Sequence, residues 1–234
     1  MQLLYAWLGA AAFVASLAYF LFAYVVTFGE TTASGDTLPR VAINVGLFTA
    51  FALHHSLFAR TRLKQAVRSA VSPPMERTLY TWISSILFAA VCVLWQPVPG
   101  VLYSVAVPWS WIGYAAEGAG ILLTVVGSRA LDVLDLAGVR PVLDSQRSTA
   151  EPRHVPLQTG GVYGLVRHPL YFGWFLFVFG APHMTMTRLV FACVSTAYLA
   201  VAIPFEERAL VDTFGPDYRR YQHRVRWRML PFVY

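Results

Sequence analysis

Six apolar segments dominate the sequence and constrain its fold more than any other feature. They are separated by polar connections and cover Leu3–Phe28, Val41–Ala59, Leu79–Trp95, Trp109–Val126, Leu170–Ala181 and Leu189–Phe205. A helix needs about 20 predominantly apolar residues to cross the hydrocarbon core of a bilayer. The sequence therefore predicts an all-α, polytopic membrane protein.

The fifth apolar segment is short for a full crossing and leaves the number of spans open. It meets the sixth segment through the tight turn Pro182–Thr187. Two interpretations remain. The chain has either five transmembrane spans, the last of them a bent C-terminal helical hairpin, or six crossings.

Composition supports a membrane protein and narrows its partners. Of the 234 residues, 57% are hydrophobic and only 13% are charged, which is too few charges for a soluble domain of this length. The first apolar run is too long for the core of a signal peptide, so we expect it to remain as the first span. The net charge of +6 comes from arginines that border membrane spans, which indicates anionic lipid headgroups rather than nucleic acid as a partner.

The basic residues predict an orientation, because cytoplasmic connections are enriched in arginine and lysine. Only Arg40 and Arg188 lie on the connections predicted to face outward. The other sixteen of the 18 basic residues lie on alternate connections and the tail: Arg60, Arg62, Lys64, Arg68, Arg77, Arg129, Arg140, Arg147, Arg153, Arg167, Arg208, Arg219, Arg220, Arg224, Arg226 and Arg228. We expect the N-terminus and these connections to be cytoplasmic, as in a bacterial inner-membrane protein.

The stretch Gly160–Gly173 has the composition of a binding site at a membrane edge. Pro169 disfavours the α region for His168, so a helix should begin at Pro169 with His168 at its cap. The first N–H groups of a helix have no partner within it and carry partial positive charge. Arg167 flanks this end and Tyr171 lies one turn inside. The stretch is interpreted either as a small-molecule pocket or as a basic flank that only precedes a membrane helix.

Two adjacent carboxylates, Glu206 and Glu207, end the last apolar segment. Carboxylates at a membrane edge are costly unless they are solvated or bound to a partner, so they mark either a solvated helix end or a ligand contact. Beyond them, Pro216 and Asp217 suit the first turn of a short tail helix. Such a helix would place Tyr218, Tyr221 and Val225 on one face, against the membrane surface or over a pocket.

Polar residues in the first half of the chain form a second candidate group. His54 and His55 close the second apolar segment, and a membrane histidine is more often a satisfied polar contact than a catalyst. Glu76 and Arg77 open the third segment and can be read as an interfacial ion pair of small energetic value. We expect Leu131–Leu136 to continue the fourth helix, which would place Asp132 and Asp135 on one face, and we expect a loop from Pro141 to Pro169.

Other functional classes find little support in the sequence. Glu117 lies inside the fourth segment, and its neighbours Gly113, Gly118 and Gly120 favour close helix packing over a catalytic role. No His, Cys and carboxylate set has the spacing of a metal site, so we expect no metal. No glycine-rich nucleotide-binding motif is present, which excludes a soluble Rossmann methyltransferase. The cysteines, Cys92 and Cys193, lie inside apolar segments and are interpreted as small core residues.

Taken together, the C-terminal motifs resemble a known family. They comprise Gly161-Val-Tyr-x-x-Val-Arg-His-Pro-x-Tyr-x-Gly173, Glu206-Glu207-x-x-Leu210 and Phe214-Gly215-x-x-Tyr218-x-x-Tyr221. This combination is similar to that of the integral-membrane methyltransferases, which include the isoprenylcysteine carboxyl and phospholipid methyltransferases. The resemblance implies that S-adenosyl-L-methionine is the cofactor. The residues that it implies for cofactor binding are Tyr163, Val166, Arg167, His168, Tyr171, Glu206, Tyr218 and, as a second choice at the site of Glu206, Glu207.

The N-terminal motifs are similar to those of the bacterial methanethiol S-methyltransferases. They are His54-His55-Ser56-x-x-Ala-Arg60, Glu76-Arg77-x-x-Tyr80 and Leu134-Asp135-Leu136-x-Gly138. The resemblance implies a small-molecule thiol as substrate. We further expect an N-terminal bundle of four spans, residues 1–128, and a cofactor-binding core, residues 129–234, whose pocket the distribution of basic residues places on the cytoplasmic side.

Transfer of a methyl group to a thiol is favoured by formation of the thiolate. The candidates that would help form or hold it are His54, His55 and Arg77, and Asp132 or Asp135 could orient a histidine. Within the same family, an isoprenylcysteine carboxylate or a phospholipid amine are alternative acceptors. A different class also remains open: a non-enzymatic membrane protein, similar to those linked to denitrification, with a transport or haem-related role in which His54 and His55 would be ligands.

Overall fold

A computed structural model describes residues 1–58, 71–146 and 156–234 of the chain. It is 73% helix and 3% strand, which confirms the predicted all-α class. The helices, numbered in chain order, are α1 (Gln2–Val25), α2 (Thr37–Phe58), α3 (Pro73–Leu94), α4 (Ser110–Ala130), α5 (Val133–Leu136), α6 (Arg140–Ser145), α7 (Pro169–Gly180), α8 (Met186–Phe214) and α9 (Pro216–Arg224). Each of the six apolar segments lies within one of these helices, apart from a residue or a few at some ends.

Four helices of the described part are long and apolar enough to cross a membrane. They are Gln2–Gly29, where a 3₁₀ turn extends α1, then Pro74–Leu94, Ser110–Ala130 and Met186–Phe214. The chain is therefore an integral membrane protein. Helix α2 has 22 residues and α7 has 12. The choice between five spans and six stays a prediction. The orientation also stays a prediction, because six of the basic residues on which it rests lie outside the described residues: Arg60, Arg62, Lys64, Arg68, Arg147 and Arg153.

Helix α8 is longer than a bilayer requires. Its 29 residues correspond to about 44 Å at 1.5 Å per residue, against a hydrocarbon core of about 30 Å. The last apolar segment was predicted to end at Phe205, but the helix continues through Glu206 and Glu207 to Phe214. The two carboxylates therefore belong to a continuous helix and do not mark its end.

The chain divides into two compact units. The first comprises Met1–Pro99 and Asp132–Arg153, and the second comprises Gly100–Leu131 and His154–Tyr234. The predicted functional division at residues 128 and 129 is a different kind of boundary and stays a prediction.

In the first unit, a short connection packs on helices α1 and α3. Its core joins Ala6 and Ala10 of α1 to Ala137, Val139 and Val142. Gly138 has a φ of +76°, and a Cβ there would lie 2.7 Å from the hydroxyl of Thr81 and 3.1 Å from the carbonyl of Arg77. Only glycine allows this close approach of the connection to α3.

Two predictions for this connection were wrong. Helix α4 ends at Ala130 and does not continue to Leu136, because Asp132 takes a φ of +65° and its carboxylate accepts a hydrogen bond from Leu134 N, 3.1 Å away, as the N-cap of the separate helix α5. The stretch after Arg140 is not all loop. It contains α6, with Pro141 in its first turn, and a 3₁₀ turn at Gly161–Gly164.

In the second unit, α4 and α7 pack through glycines spaced seven residues apart. A Cβ on Gly113 would lie 2.5 Å from the carbonyl oxygen of Gly180, and one on Gly120 would lie 2.4 Å from that of Gly173. The backbones of α4 and α7 therefore touch, as small residues allow in membrane helices. Close packing at Gly113 and Gly120 was predicted correctly, but Gly118 faces open space and the prediction for it was wrong.

A two-stranded antiparallel ribbon was not predicted. It pairs β1 (Val101–Ser104) with β2 (His183–Thr185), and β2 occupies the segment that we interpreted as a tight turn between α7 and α8. The Met186 N–H donates to the carbonyl of Gly100, 2.9 Å away, and extends the pairing to the start of α8.

Candidate functional site

Helix α7 begins as the sequence predicted, and its start is fixed by the tail of the chain. Pro169 is its first residue and His168 is its N-cap. The N–H of Arg167 donates to the carbonyl of Trp227 at 2.9 Å, and that of His168 donates to the carbonyl of Arg228 at 2.8 Å. The tail therefore runs alongside the Arg-His-Pro segment and satisfies its backbone.

The guanidinium of Arg167 joins three parts of this unit. Its Nε donates to Glu207 Oε1 at 2.6 Å, and its Nη1 donates to the carbonyls of Val225 and Arg226 at 2.6 and 2.8 Å. The side chains of Arg167 and Glu207 are each only 6% exposed. A buried ion pair with such complete hydrogen bonding holds α8 and the tail against the start of α7.

The neighbouring carboxylates have different surroundings, although they are adjacent in sequence. Glu207 also accepts from Gln222 Nε2 at 3.2 Å and lies 3.4 Å from Arg228 Nε, beside a cleft of about 310 Å³. Glu206 is 46% exposed, and its Oε1 accepts from the hydroxyl of Tyr171 at 2.5 Å. Glu207 is therefore buried and engaged by Arg167, whereas Glu206 is half-exposed.

His168 lies between the two carboxylates. Its Nδ1 is 3.4 Å from Glu206 Oε2, and its Nε2 is 3.4 Å from Glu207 Oε1 without forming a good hydrogen bond. The ring stacks on that of Tyr171, with centroids 5.3 Å apart. Burial alone would lower the pKa of His168, but attraction to the two nearby carboxylates, Glu206 and Glu207, outweighs it and raises the pKa.

Tyrosines form the wall of this site. One buried cluster contains Tyr163, Tyr218, Tyr221 and Val225. The last three were predicted to share one face of the tail helix. Tyr163 donates to the carbonyl of Gly127 at 3.2 Å, and Tyr221 donates to the carbonyl of Tyr163 at 2.7 Å. Burial raises the pKa of Tyr163 and of Tyr218, and it raises the pKa of Tyr221 to about 12, so all three stay protonated at neutral pH.

The hydroxyl of Tyr218 stands out in this wall. The residue is 1% exposed, yet among the described residues its hydroxyl has no hydrogen-bond partner. A buried unpaired hydroxyl is costly, so this group is short of one hydrogen-bond partner. Val166, by contrast, is a buried apolar side chain.

The first unit contains a separate polar group. The hydroxyl of Tyr80 lies 2.7 Å from Nδ1 of His55, and the rings of His54 and Tyr80 stack with centroids 6.0 Å apart. Arg77, one turn before Tyr80, donates from Nε to the carbonyl of Asp135 at 3.2 Å, and its Nη2 lies 3.5 Å from Asp135 Oδ2. The structure thus brings the candidates His54 and His55 together with Tyr80, and it joins Arg77 to Asp135 one turn earlier on α3.

Asp132 is engaged elsewhere in the same unit. Its carboxylate accepts from Arg140 Nε at 3.0 Å and from Nη2 at 3.2 Å, in addition to capping α5. The carboxylate beside Arg77 is instead that of Asp135. The Glu-Arg-x-x-Tyr motif carried the signal for Tyr80, since residues three apart share a helix face. Whether the histidine group and the cofactor candidates serve one reaction stays a prediction.

Comparison with known proteins decides the family. Residues 145–212, which include both Arg167 and Glu207, match the model of the isoprenylcysteine carboxyl methyltransferase family. The methanethiol S-methyltransferase of Crocosphaera subtropica is 36% identical to this chain over 87% of the chain and 80% of its own length. The chain belongs to this family. It is therefore an integral membrane methyltransferase.

Further relatives of this methyltransferase bear the same name. Methanethiol S-methyltransferase 2 of Bradyrhizobium diazoefficiens is 32% identical over 95% of the chain and 87% of its own length. Methanethiol S-methyltransferase 1 of the same organism is 34% identical over 84% of the chain and 69% of its own length. No solved structure matches the chain.

Proposed function

We propose that this methyltransferase transfers the methyl group of S-adenosyl-L-methionine to a small thiol of the methanethiol type, at the cytoplasmic face of a bacterial inner membrane. The observation that carries the proposal is the arrangement of Glu206. Its half-exposed carboxylate is held by the hydroxyl of Tyr171 and lies beside His168, in the segment that matches the family.

The residues present fit this cofactor. S-Adenosyl-L-methionine offers an ammonium and two ribose hydroxyls to a carboxylate, a carboxylate to a cation, and an adenine to aromatic rings. Glu206, His168, Tyr171 and the unpaired hydroxyl of Tyr218 are the groups that would hold it, with Tyr163 in the wall behind them. The cofactor, when bound, supplies a methyl group on a positively charged sulfur.

Arg167 and Glu207 take a supporting role in this proposal. Their side chains are buried against each other and against the carbonyls of the tail, so their charges are already satisfied within the protein. They keep α8 in the register that presents Glu206. A residue that orients a ligand-binding neighbour in this way contributes to affinity without touching the ligand.

The choice of a thiol rests on the relatives, which are named for methanethiol. A carboxylate acceptor, as the name of the family model implies for other members, is already deprotonated at neutral pH. The thiol of cysteine, with a pKa of about 8.5, is only a few per cent ionised at neutral pH, and a simple alkanethiol is ionised even less, so its methylation benefits from a base. The histidines of the first unit are residues of the right kind for that task.

The test measures binding and transfer with purified protein in detergent. Calorimetry should show that S-adenosyl-L-methionine binds the wild type and binds Glu206→Gln about 10- to 100-fold more weakly, as expected for loss of one charge-assisted contact of about 1.5–3 kcal/mol. Glu30→Gln, which changes an exposed carboxylate of the other unit, is the control and should bind normally.

Radiolabelled methyl transfer to a panel that runs from methanethiol to a farnesylated cysteine should then show a preference for the small thiol. Preference for the farnesylated cysteine would replace the thiol by a carboxylate acceptor. If the wild type binds no S-adenosyl-L-methionine, the cofactor assignment is wrong and a haem or solute site becomes the better interpretation.

A further inference from the structure

The hydroxyl of Tyr80 and the imidazole of His55 form a close pair on helices α3 and α2. We infer that Tyr80 is a catalytic residue: its hydroxyl accepts the proton of the thiol while passing its own proton to His55. This inference rests on the proposed function, because it needs a thiol as the methyl acceptor.

The pair is held in place from both sides. The Tyr80 oxygen lies 2.7 Å from Nδ1 and 3.3 Å from Nε2 of His55. The ring of His54 stacks on the face of Tyr80 with an interplanar angle of 15°, and Phe51 packs on the ring of His55 with centroids 5.7 Å apart. Aromatic packing of this kind fixes ring orientation, which a proton transfer over hydrogen-bond distance requires.

Arg77 gives the pair a favourable electrostatic setting. It precedes Tyr80 by three residues, so both side chains project from one face of α3. Its guanidinium is held by the carbonyl and the carboxylate of Asp135 and is 39% exposed. A fixed positive charge on this face favours a thiolate over a neutral thiol. Within the described part of the chain, His54 of α2 stacks on Tyr80, Glu76 and Arg77 precede Tyr80 by about one turn on α3, and Asp135 of α5 pairs with Arg77.

The proton balance of the step is simple. The S–H bond of the thiol breaks and an O–H bond forms on Tyr80, while the original O–H bond of Tyr80 breaks and an N–H bond forms on Nδ1 of His55. The products are a thiolate and an imidazolium ion, and Tyr80 ends neutral. Both proton acceptors belong to the chain, so no further reactant is needed.

The experiment compares Tyr80→Phe with the wild type from pH 7 to pH 9.5. Tyr80→Phe keeps the ring and its stack on His54 but removes the hydroxyl. We expect kcat/KM for the thiol to fall about 100-fold at pH 7, the lower end of the usual range for general acid–base catalysis. At pH 9.5 a much larger share of a small thiol is already ionised than at pH 7, so the loss should shrink steadily with rising pH, to about tenfold or less at pH 9.5.

Tyr5→Phe is the matched control. Tyr5 also stacks on a side chain of α3, since its ring lies 5.5 Å from that of Trp82. Removing its hydroxyl should leave the rate unchanged at every pH. Binding of S-adenosyl-L-methionine by calorimetry should be equal in all variants, which shows that the second unit is folded.

A double-mutant cycle tests whether Tyr80 and His55 act together. If the two residues act as one unit, either single substitution already removes the whole contribution of the pair to the rate. We therefore expect similar rates at pH 7 for Tyr80→Phe, His55→Ala and the double variant. Losses that multiply in the double variant would overturn the pairing, and so would a Tyr80→Phe enzyme with the pH profile of the wild type. A wild type that binds cofactor but methylates no thiol would instead refute the proposed function.

Discussion

Replacement of Arg167 by alanine tests whether this arginine holds the protein together or binds the cofactor. The resemblance found in the sequence implied that Arg167 binds the cofactor, and on that basis Arg167→Ala should weaken cofactor binding and leave the fold intact. The contacts of the guanidinium lead to a different expectation. Because Arg167 bonds Glu207 and two carbonyls of the tail, its removal should first release residues 225–234 from the start of α7.

The size of this effect follows from the buried pair. Removing one partner of a buried ion pair costs about 3–5 kcal/mol, because the other charge remains without compensation. Arg228 Nε still lies 3.4 Å from the opposite oxygen of Glu207, and Gln222 still donates to it. The cost should therefore fall near the lower limit, at about 3 kcal/mol. That free energy corresponds to a roughly 150-fold larger population in which the tail is detached.

Limited proteolysis measures this population directly. Chymotrypsin should cleave the detached tail after Trp227, and the release of a C-terminal tag reports the rate. When opening is fast compared with cleavage, the rate follows the open population. Cleavage of Arg167→Ala should therefore be about 100-fold faster than that of the wild type. Arg219→Ala removes an exposed arginine of α9 and should change the rate less than threefold.

Arg167→Lys separates charge from geometry. Lysine keeps the positive charge but lacks the planar fork that reaches Glu207 and two carbonyls at once. The cleavage rate of Arg167→Lys should therefore lie between those of the wild type and Arg167→Ala. Equal cleavage rates in Arg167→Ala and the wild type would refute the tethering role. Arg167 would then be free to act on the cofactor, as the sequence alone indicated.

Three further predictions use other parts of the structure. Because the pKa of His168 is raised in the folded protein, protonation of this residue stabilises the fold fully below pH 6.5, and the stabilisation is lost as the pH rises through the raised pKa. The melting temperature in detergent should therefore fall across this pH range for the wild type and change less for His168→Gln. Gly120→Ala should lower the melting temperature because its Cβ would lie 2.4 Å from a backbone oxygen of α7, whereas Gly118→Ala meets open space and should be neutral or stabilising by up to about 1 kcal/mol. Cysteines placed at position 33 should react with an impermeant reagent in intact cells and those at positions 66 and 148 should not; the reverse pattern would invert the predicted orientation.

Elements with strong local signals were predictable from the sequence. Hydrophobic runs gave the long helices, and the His168-Pro169 step gave the start of α7 because proline restricts the residue before it. The tail helix was predictable from Pro216 and Asp217 in the same way. The seven-residue spacing of Gly113, Gly120 and Gly127 was also visible in the sequence, but the partner glycines on α7 are known only once the two helices are seen together.

Features that depend on backbone acceptors were not predictable. The carbonyls of Val225 and Arg226 bind Arg167, yet any residue could provide a carbonyl at these positions. The ribbon of β1 and β2 was missed for a related reason, since three or four residues carry too little periodicity to identify a strand. Asp132 was read as a helical residue because nothing local shows that it takes a positive φ and caps α5.

The roles of Glu206 and Glu207 depend on a rotation of α8 that the sequence does not show. Two consecutive residues of an α-helix point about 100° apart, so only one of them can face the buried arginine. The sequence does not say which, because the rotation of α8 is set by its packing along 29 residues. In the structure, Glu207 faces Arg167 and is neutralised, and Glu206 is left half-exposed beside Tyr171 and His168. A carboxylate that is already neutralised gains little from a cationic ligand, whereas a half-exposed one gains a charge-assisted contact. The rotation of α8 therefore buries Glu207 against Arg167 and leaves Glu206 as the carboxylate that we propose for the cofactor.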